Sequence, residues 1–371
     1  MTDTMIKLLI VDDSALMRRH LNLMFQTEGD FLICQAHNGK EADEVNLTFK
    51  PDVVILDVNM PEMDGLTALS LMMAKRPVPV IMFSSLTEKS ALATFEALQL
   101  GALDYVTKPG GTISLSVDTI RRELVEKVRA AAKAGIKKGA PQRMIRQRDG
   151  NPEQQQHPTV ASRHAVNRKG LVIVGVSTGG PRTLEEILPQ LPSDFPWPIL
   201  VAQHMPASFT SPFADRLNDL CPLTVTEAAR PMPVEPGMIY IGKGGADMLL
   251  CMRNGILTVL PKPEDRNFLW HPSVELLGRS ALDCCNPEEV VAVMLTGMGN
   301  DGVNAFTQVK KRGGRTIAES EDSAVVFGMP AELINSGGAT TVLHSDKIAR
   351  QLKVWAGMLE ITKQPSLRHH G

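Results

Sequence analysis

Ahead of Lys127 the chain repeats one pattern five times: a short run of apolar, β-forming residues followed by a stretch of helical periodicity. The runs are IKLLIV, FLICQA, VVILD, VPVIMF and DYVT, with helices predicted from Ser14, Gly39, Asp64 and Thr87 and a last one after DYVT. Strands alternating with helices over short connections bury their apolar residues only as a parallel sheet covered on both faces, which predicts a doubly wound α/β domain over residues 1–125.

A second α/β pattern starts at LVIVGV and continues through PILVAQ, LTVTEA, MIYIG, MLLCM, ILTVL, VVAVML, RTIAE and TTVL. Helices are predicted near Arg182–Leu188, Phe213–Leu220, Ser273–Leu282, Gly302–Lys311, Ala331–Ile334 and Asp346–Met358. Asn254-Gly255 between MLLCM and ILTVL predicts a hairpin, an antiparallel appendage to a mainly parallel, doubly wound sheet over residues 169–361. A chain of 371 residues is too long for one ordinary core, so two domains fit its length.

Between the two patterns lies a basic segment. Residues 127–170 hold eleven Lys or Arg against Asp149 and Glu153, a net +9 that leaves −11 for the rest of a chain whose formal charge is −2. With few large apolar residues it cannot bury enough surface to fold alone, and residues 126–168 read as a flexible linker, with 362–371 as a tail. A solvated tether explains the charge best; an acidic partner or anionic surface is the alternative, and nucleic acid is disfavoured because no basic helix-turn-helix follows the first domain. No run is long and apolar enough to span a bilayer and the N-terminus carries acids where a signal peptide carries bases, so a cytoplasmic protein with no membrane insertion is expected. Cys34, Cys221, Cys251, Cys284 and Cys285 show no metal-binding spacing and are expected to be reduced core thiols.

In doubly wound sheets chemistry collects at the carboxyl ends of the strands. Those ends carry Asp12 and Asp13, then Asp57, Ser84 and Lys108. Three converging carboxylates repel unless they share a hard divalent cation, and a cation, a lysine and a hydroxyl together suit an acyl phosphate. Asp57 would attack phosphorus, Mg²⁺ on Asp13 and Asp57 would neutralise phosphoryl oxygens, Lys108 would pair with one and Ser84 donate to another. Taken singly, Asp12 is as good a helix cap and Lys108 as good a surface charge.

Through VDDSALMR, LDVNMPEMDG, FSSLT and DYVTKP, residues 1–125 resemble a response-regulator receiver domain. The resemblance implies a (βα)5 flavodoxin-like fold, Asp57 as phospho-acceptor, and Asp12 with Asp13 as the acidic pair. It also implies Asn59 as a backbone-carbonyl ligand to Mg²⁺, a cis Lys108-Pro109 peptide, and Tyr105 as an aromatic switch that follows Ser84.

In the second half, LVIVGVSTGGP delivers Ser177 from a strand onto a glycine turn before a helix. The first-turn N–H groups of that helix would point at an oxygen reacting there, so Ser177 reads either as a nucleophile or as part of a phosphate cradle. Gly175, Gly179 and Gly180 do not make G-x-G-x-x-G, and the next strand ends in His204 rather than in a ribose-binding acid. A serine nucleophile needs a base and the base an orienting acid. His204, at a neighbouring strand end, is the best base among nine histidines, and Asp301, in the glycine turn TGMGNDG, the best acid, with Glu321 and Asp322 as runners-up. The bland reading of Asp301 is a helix cap. The backbone N–H of Met298 in the same turn is placed to complete an oxyanion hole. GVSTG also satisfies the α/β-hydrolase elbow, but the order Ser177, His204, Asp301 is not theirs.

Through GVSTGGP, QHMPASFT, YIGKGG, HPSVELL and LTGMGNDG, residues 169–361 are similar to the catalytic domain of the chemotaxis protein-glutamate methylesterases, with Asn300 standing where that family leads us to expect alanine. The resemblance implies Ser177 as nucleophile, His204 as base, Asp301 as orienting acid, Met298 as oxyanion donor and Thr178 and His271 as neighbours of the site. It further implies glutamate methyl esters and certain glutamines of chemoreceptors as substrate, a chemotaxis histidine kinase as phosphodonor, and Mg²⁺ in the receiver with no cofactor for the ester cleavage. A non-enzymatic adaptor and a transcriptional regulator are the competing classes; the Ser177, His204 and Asp301 set speaks against the first and the missing DNA-binding motif against the second.

Overall fold

The structure is a computed structural model and describes residues 5–108, 117–134 and 170–359. The first domain is β1 Ile6–Val11, α1 Ala15–Gln26, β2 Phe31–Ala36, α2 Gly39–Thr48, β3 Val53–Asp57, α3 Gly65–Lys75, β4 Val80–Ser84, α4 Glu88–Leu100, β5 Asp104–Thr107 and α5 Val117–Ala134. Its five parallel strands run in the order β2-β1-β3-β4-β5. Strand order therefore reverses between β1 and β3, where Asp12, Asp13 and Asp57 leave the sheet. Helix starts follow local chemistry: Ser14, Asp64 and Thr87 each accept a backbone N–H of the helix that follows.

One expected boundary moves. α5 runs through Ala134, so the linker read from residue 126 is helical over 126–134. The reason is apolar and ionic burial on one helix face: Val128 and Ala131 are fully buried, and Lys127 reaches Asp104 at 2.9 Å and the carbonyl of Tyr105 at 2.7 Å. The high Lys and Arg content that reads as a tether hides this face. Pro109, the remaining linker from 135 and the 362–371 tail lie outside the described residues.

The second domain is β6 Leu171–Val176, α6 Gly180–Ile187, β7 Ile199–Gln203, α7 Ala207–Leu220, β8 Thr224–Ala228, β9 Met232–Pro233, β10 Met238–Gly242, β11 Ala246–Arg253, β12 Ile256–Pro263, α8 Val274–Cys284, β13 Val290–Met294, α9 Val303–Lys311, β14 Arg315–Glu319, α10 Met329–Asn335, β15 Thr341–Leu343 and α11 Ser345–Trp355. Seven parallel strands lie in the order β15-β14-β13-β6-β7-β10-β8. The chain leaves β6 toward β7 on one side and later returns to β13 on the other, so the switch point opens beside the end of β6. The predicted antiparallel hairpin forms at Asn254-Gly255, both at positive φ, and with β9 it makes a separate sheet, β11-β12-β9. α7 starts before the expected Phe213 and carries Pro212 within it, past its first turn.

The five cysteines are free, as expected, but each is only part-buried rather than in the core. Burial still pushes the Cys221 thiol up to about 12 and the Cys285 thiol up to about 11, which leaves both protonated.

The domains meet through aromatic rings. Tyr105 stacks on Phe209 of α7 with centroids 4.8 Å apart and planes at 7°, and Phe95 of α4 stacks on Phe213 at 5.4 Å. α4 also packs against α6.

Burial pushes the Asp104 carboxyl up and Lys127 draws it back down, so the pair stands or falls together. Lys127→Met strands that carboxyl in the core and should cost the first domain about 3 kcal/mol in urea unfolding. Adding Asp104→Asn should recover most of the loss; a single variant as stable as wild type would show that the pair contributes nothing.

Candidate active site

Three adjacent strands of the large sheet, β7, β6 and β13, deliver His204, Ser177 and the Asp301 loop to one rim. Val176 pairs with Gln203 in the ladder, and the His204 N–H continues it to the Val176 carbonyl at 3.1 Å. On its other side the Ser177 N–H donates to the Thr296 carbonyl at 3.0 Å. Parallel register alone thus brings serine and histidine to neighbouring positions although they stand far apart in the chain.

His204 Nε2 lies 2.9 Å from Asp301 Oδ2, with both side chains almost fully buried. The other ring nitrogen, Nδ1, is buried and has no hydrogen-bond partner, so the serine-to-histidine bond is not formed here. Asp301 is held by the start of α8: its Oδ2 accepts the Val274 N–H at 2.7 Å, and its Oδ1 accepts the Glu275 N–H at 3.0 Å and the Ser273 hydroxyl at 3.1 Å. Burial pushes this carboxyl up, but the His204 bond and charge and the two helix N–H groups outweigh it and hold it below the usual carboxylate range. Asp301 therefore caps α8, not the α9 start that its sequence position suggests. The runners-up Glu321 and Asp322 lie exposed.

Two glycines make the geometry possible. Gly179 takes φ 79° where the chain turns into α6, a conformation that a side chain disfavours. A Cβ on Gly297 would meet the Ser177 Cβ at 2.8 Å, so only glycine lets the loop carrying Met298 lie against the serine. Thr178 is buried, its hydroxyl is unpartnered, and its carbonyl accepts from Thr296 Oγ1 at 2.9 Å. His271 stands one step away: its Nδ1 is 2.8 Å from buried Asp247, whose same oxygen accepts the Ser273 N–H at 2.8 Å. Asn300 is exposed.

Several contributing side chains have no role assigned to them by the sequence reading. Trp270 stacks on His204 with planes at 10° and centroids 5.9 Å apart. Gln203 and Glu319 act on backbone groups, Glu319 by accepting the Thr296 N–H at 2.8 Å, whereas the Ser273 hydroxyl bonds Asp301 itself. Ser273 could have been found as the cap residue before VELL; the others become visible only once strands are paired.

In the first domain Lys108 Nζ lies 2.8 Å from Asp12 and 2.7 Å from Asp57. Asp12, Asp13 and Asp57 each offer an oxygen, and these lie within 4.8 Å of one another. Burial and the Asp12 charge push the Asp57 carboxyl up, partly countered by Lys108 and the Asn59 N–H. The Ser84 hydroxyl faces α4, where it donates to the Ser90 carbonyl at 3.4 Å and accepts from Thr94 at 3.0 Å. Tyr105 is buried against Phe209.

Comparison with known proteins agrees with both halves. The CheB methylesterase family model matches residues 172–352, and the response regulator receiver domain model matches residues 8–117. The chain is 54% identical over 356 residues to protein-glutamate methylesterase/protein-glutamine glutaminase 3 of Rhodospirillum rubrum, covering 95% of this chain and 96% of that one. It is 47% identical to the second such protein of Rhodopseudomonas palustris, over 95% of this chain and 98% of that one. With a protein of the same name from Carboxydothermus hydrogenoformans it shares 44% identity, over 94% and 98%.

Because folding holds the Asp301 carboxyl below its ordinary value, the stability it contributes is present above that ordinary value and lost as pH falls through the lowered one. Asp301→Asn replaces one accepting oxygen with an N–H donor that faces other donors, and should cost the second domain about 2 kcal/mol at neutral pH. The gap to wild type should close as urea titrations move below the carboxylate range, and a gap independent of pH would contradict the charge argument.

Proposed function

Because the chain belongs to the CheB methylesterase family, with a receiver domain ahead of its esterase domain, and is thereby a protein-glutamate methylesterase and protein-glutamine glutaminase, we propose that Ser177, His204 and Asp301 carry its chemistry and that Asp57 controls it. The observation that carries this reading is the His204–Asp301 pair at the switch point, with a buried, unbonded Nδ1 one strand from Ser177. Ser177 Oγ attacks the carbonyl carbon of a glutamyl methyl ester while its proton passes to His204 Nδ1. That proton leaves with the departing methoxide as methanol, and a glutamyl ester on Ser177 remains. Water then attacks the same carbon, gives its proton to His204, and frees the glutamate as Ser177 regains a proton. With glutamine as substrate the leaving group is ammonia. Asp301 keeps Nε2 protonated and Nδ1 free to accept, the Met298 N–H faces the developing oxyanion, and Thr178 and His271 flank the site.

In the receiver, Asp57 takes the phosphoryl group, with Lys108 beside it to pair with a phosphoryl oxygen. The three converging carboxylates supply the oxygen donors that a hard divalent cation requires, with the Asn59 carbonyl as a further ligand. Mg²⁺ bound there would neutralise phosphoryl oxygens. For Ser84 to reach that phosphate its hydroxyl leaves Ser90 and Thr94, and the space it vacates beside β5 is the route by which Tyr105 follows. Tyr105 is also the ring stacked on Phe209, near the start of the helix that follows His204. The unphosphorylated receiver thus covers helices that begin at the base and the nucleophile, and repacking of Tyr105 releases them. The substrates would be the cytoplasmic helices of chemoreceptors and the phosphodonor their histidine kinase, with the enzyme acting in the cytoplasm and sensory adaptation as the outcome. Among the described residues no helix is long and apolar enough to cross a membrane.

Methanol release from methylated receptor membranes, with and without a small phosphodonor, tests both parts. Ser177→Ala should abolish it, while Asp57→Asn should keep the basal rate and lose the stimulation. Removing residues 1–134 should raise the basal rate about tenfold, the factor that 1.4 kcal/mol of docking free energy represents. An unchanged or lower rate would count against a covering receiver.

A further inference from the structure

We infer that Gln203, the first residue of QHMPASFT and one to which the mechanism above gives no role, is the positioning residue that fixes the spacing between the nucleophile turn and the base; this rests on the reading of Ser177 and His204 as nucleophile and base. Gln203 ends β7, is 2% exposed, and pairs in the ladder with Val176, the residue before Ser177. Its Nε2 donates to two carbonyls at once, that of Ser177 at 3.0 Å and that of His204 at 3.0 Å. Both carbonyls lie just past the point where their strands end. The Ser177 N–H turns to the Thr296 carbonyl on the β13 side while its carbonyl turns to the amide on the β7 side, so the serine is tied in both directions.

The other end of the side chain shows that this arrangement is not mere filling. Oε1 of Gln203 is buried and has no hydrogen-bond partner, and it presses on Gly180, where a Cβ would meet it at 1.9 Å. A buried acceptor without a partner is unfavourable, so filling space alone would favour an apolar side chain of the same length there. What such a side chain lacks is a pair of N–H groups on one rigid amide plane, the element that holds two backbone carbonyls at a set separation. Since no serine-to-histidine bond holds the two side chains here, their approach depends on the backbone beneath them. Small displacements of reacting groups cost far more in rate than in binding.

The full-length protein with Gln203→Met, which keeps the length and removes the donors, and with Gln203→Asn, which withdraws the amide by one carbon, decides the matter. A fluorophosphonate probe, in which Ser177 Oγ displaces fluoride from phosphorus as its proton passes to His204, reports nucleophile and base alone. Methanol release reports kcat and KM. Labelling rate and kcat are expected to fall about 10²-fold with KM within about twofold, while receiver phosphorylation stays at the wild-type value and each variant still unfolds cooperatively from a folded state. A folded variant of either kind that labels at the wild-type rate overturns the inference. So does loss of folding in both, which would make Gln203 a stability residue. Wild-type protein that fails to label at Ser177 would instead sink the reading on which the inference rests.

Discussion

The catalytic half depends on one buried carboxylate. Asp301 sits where the start of α8 offers two N–H groups and a serine hydroxyl, and it uses them to remain ionised in an interior that would otherwise neutralise it. The charge is held by a helix end built from the segment after the hairpin, not by the loop that carries the aspartate. That fixes which imidazole nitrogen is occupied, because Nε2 of His204 has the carboxylate and Nδ1 has nothing. The hairpin joins the same arrangement: Asp247 of β11 binds both His271 and the Ser273 N–H, so the small sheet braces the helix end that braces the aspartate.

The fold was legible because both halves rest on alternation, which a chain cannot hide. The gathering of candidate residues was legible for the same reason: Asp12, Asp57, Lys108, Ser177 and His204 stand at or just past the ends of strands, and a parallel sheet puts such positions on one rim. What stayed hidden depends on which strands are neighbours. Gln203 reads as the last residue of a strand until β7 lies beside β6, and Trp270 as one more aromatic in a loop until it lies on His204. Asp301 reads as a cap for the helix after it, whereas it caps a helix earlier in the chain. The linker boundary misled for a compositional reason: a basic run looks solvated, yet Lys127 sits in the core against a carboxylate while Val128 and Ala131 face the sheet.

Both domains place their candidate residues where strand order reverses, but they use the rim differently. In the first, three carboxylates and a lysine converge, charge against charge. In the second, neutral glycine turns bring backbone groups against a serine. The helices that leave these rims, α4 in one domain and α6 and α7 in the other, are the ones that pack across the interface. A change at either rim has a short path to the shared surface.

The stack of Tyr105 on Phe209 carries an obligation in both directions. If a phosphate on Asp57 weakens that contact by some factor, thermodynamic cycles require the contact to disfavour the phosphate by the same factor. The second domain is then a ballast on the first: while docked, it makes Asp57 a poorer acceptor than the isolated receiver would be. A receptor that draws the domains apart by gripping only the esterase would, with no touch on the receiver, make it easier to charge.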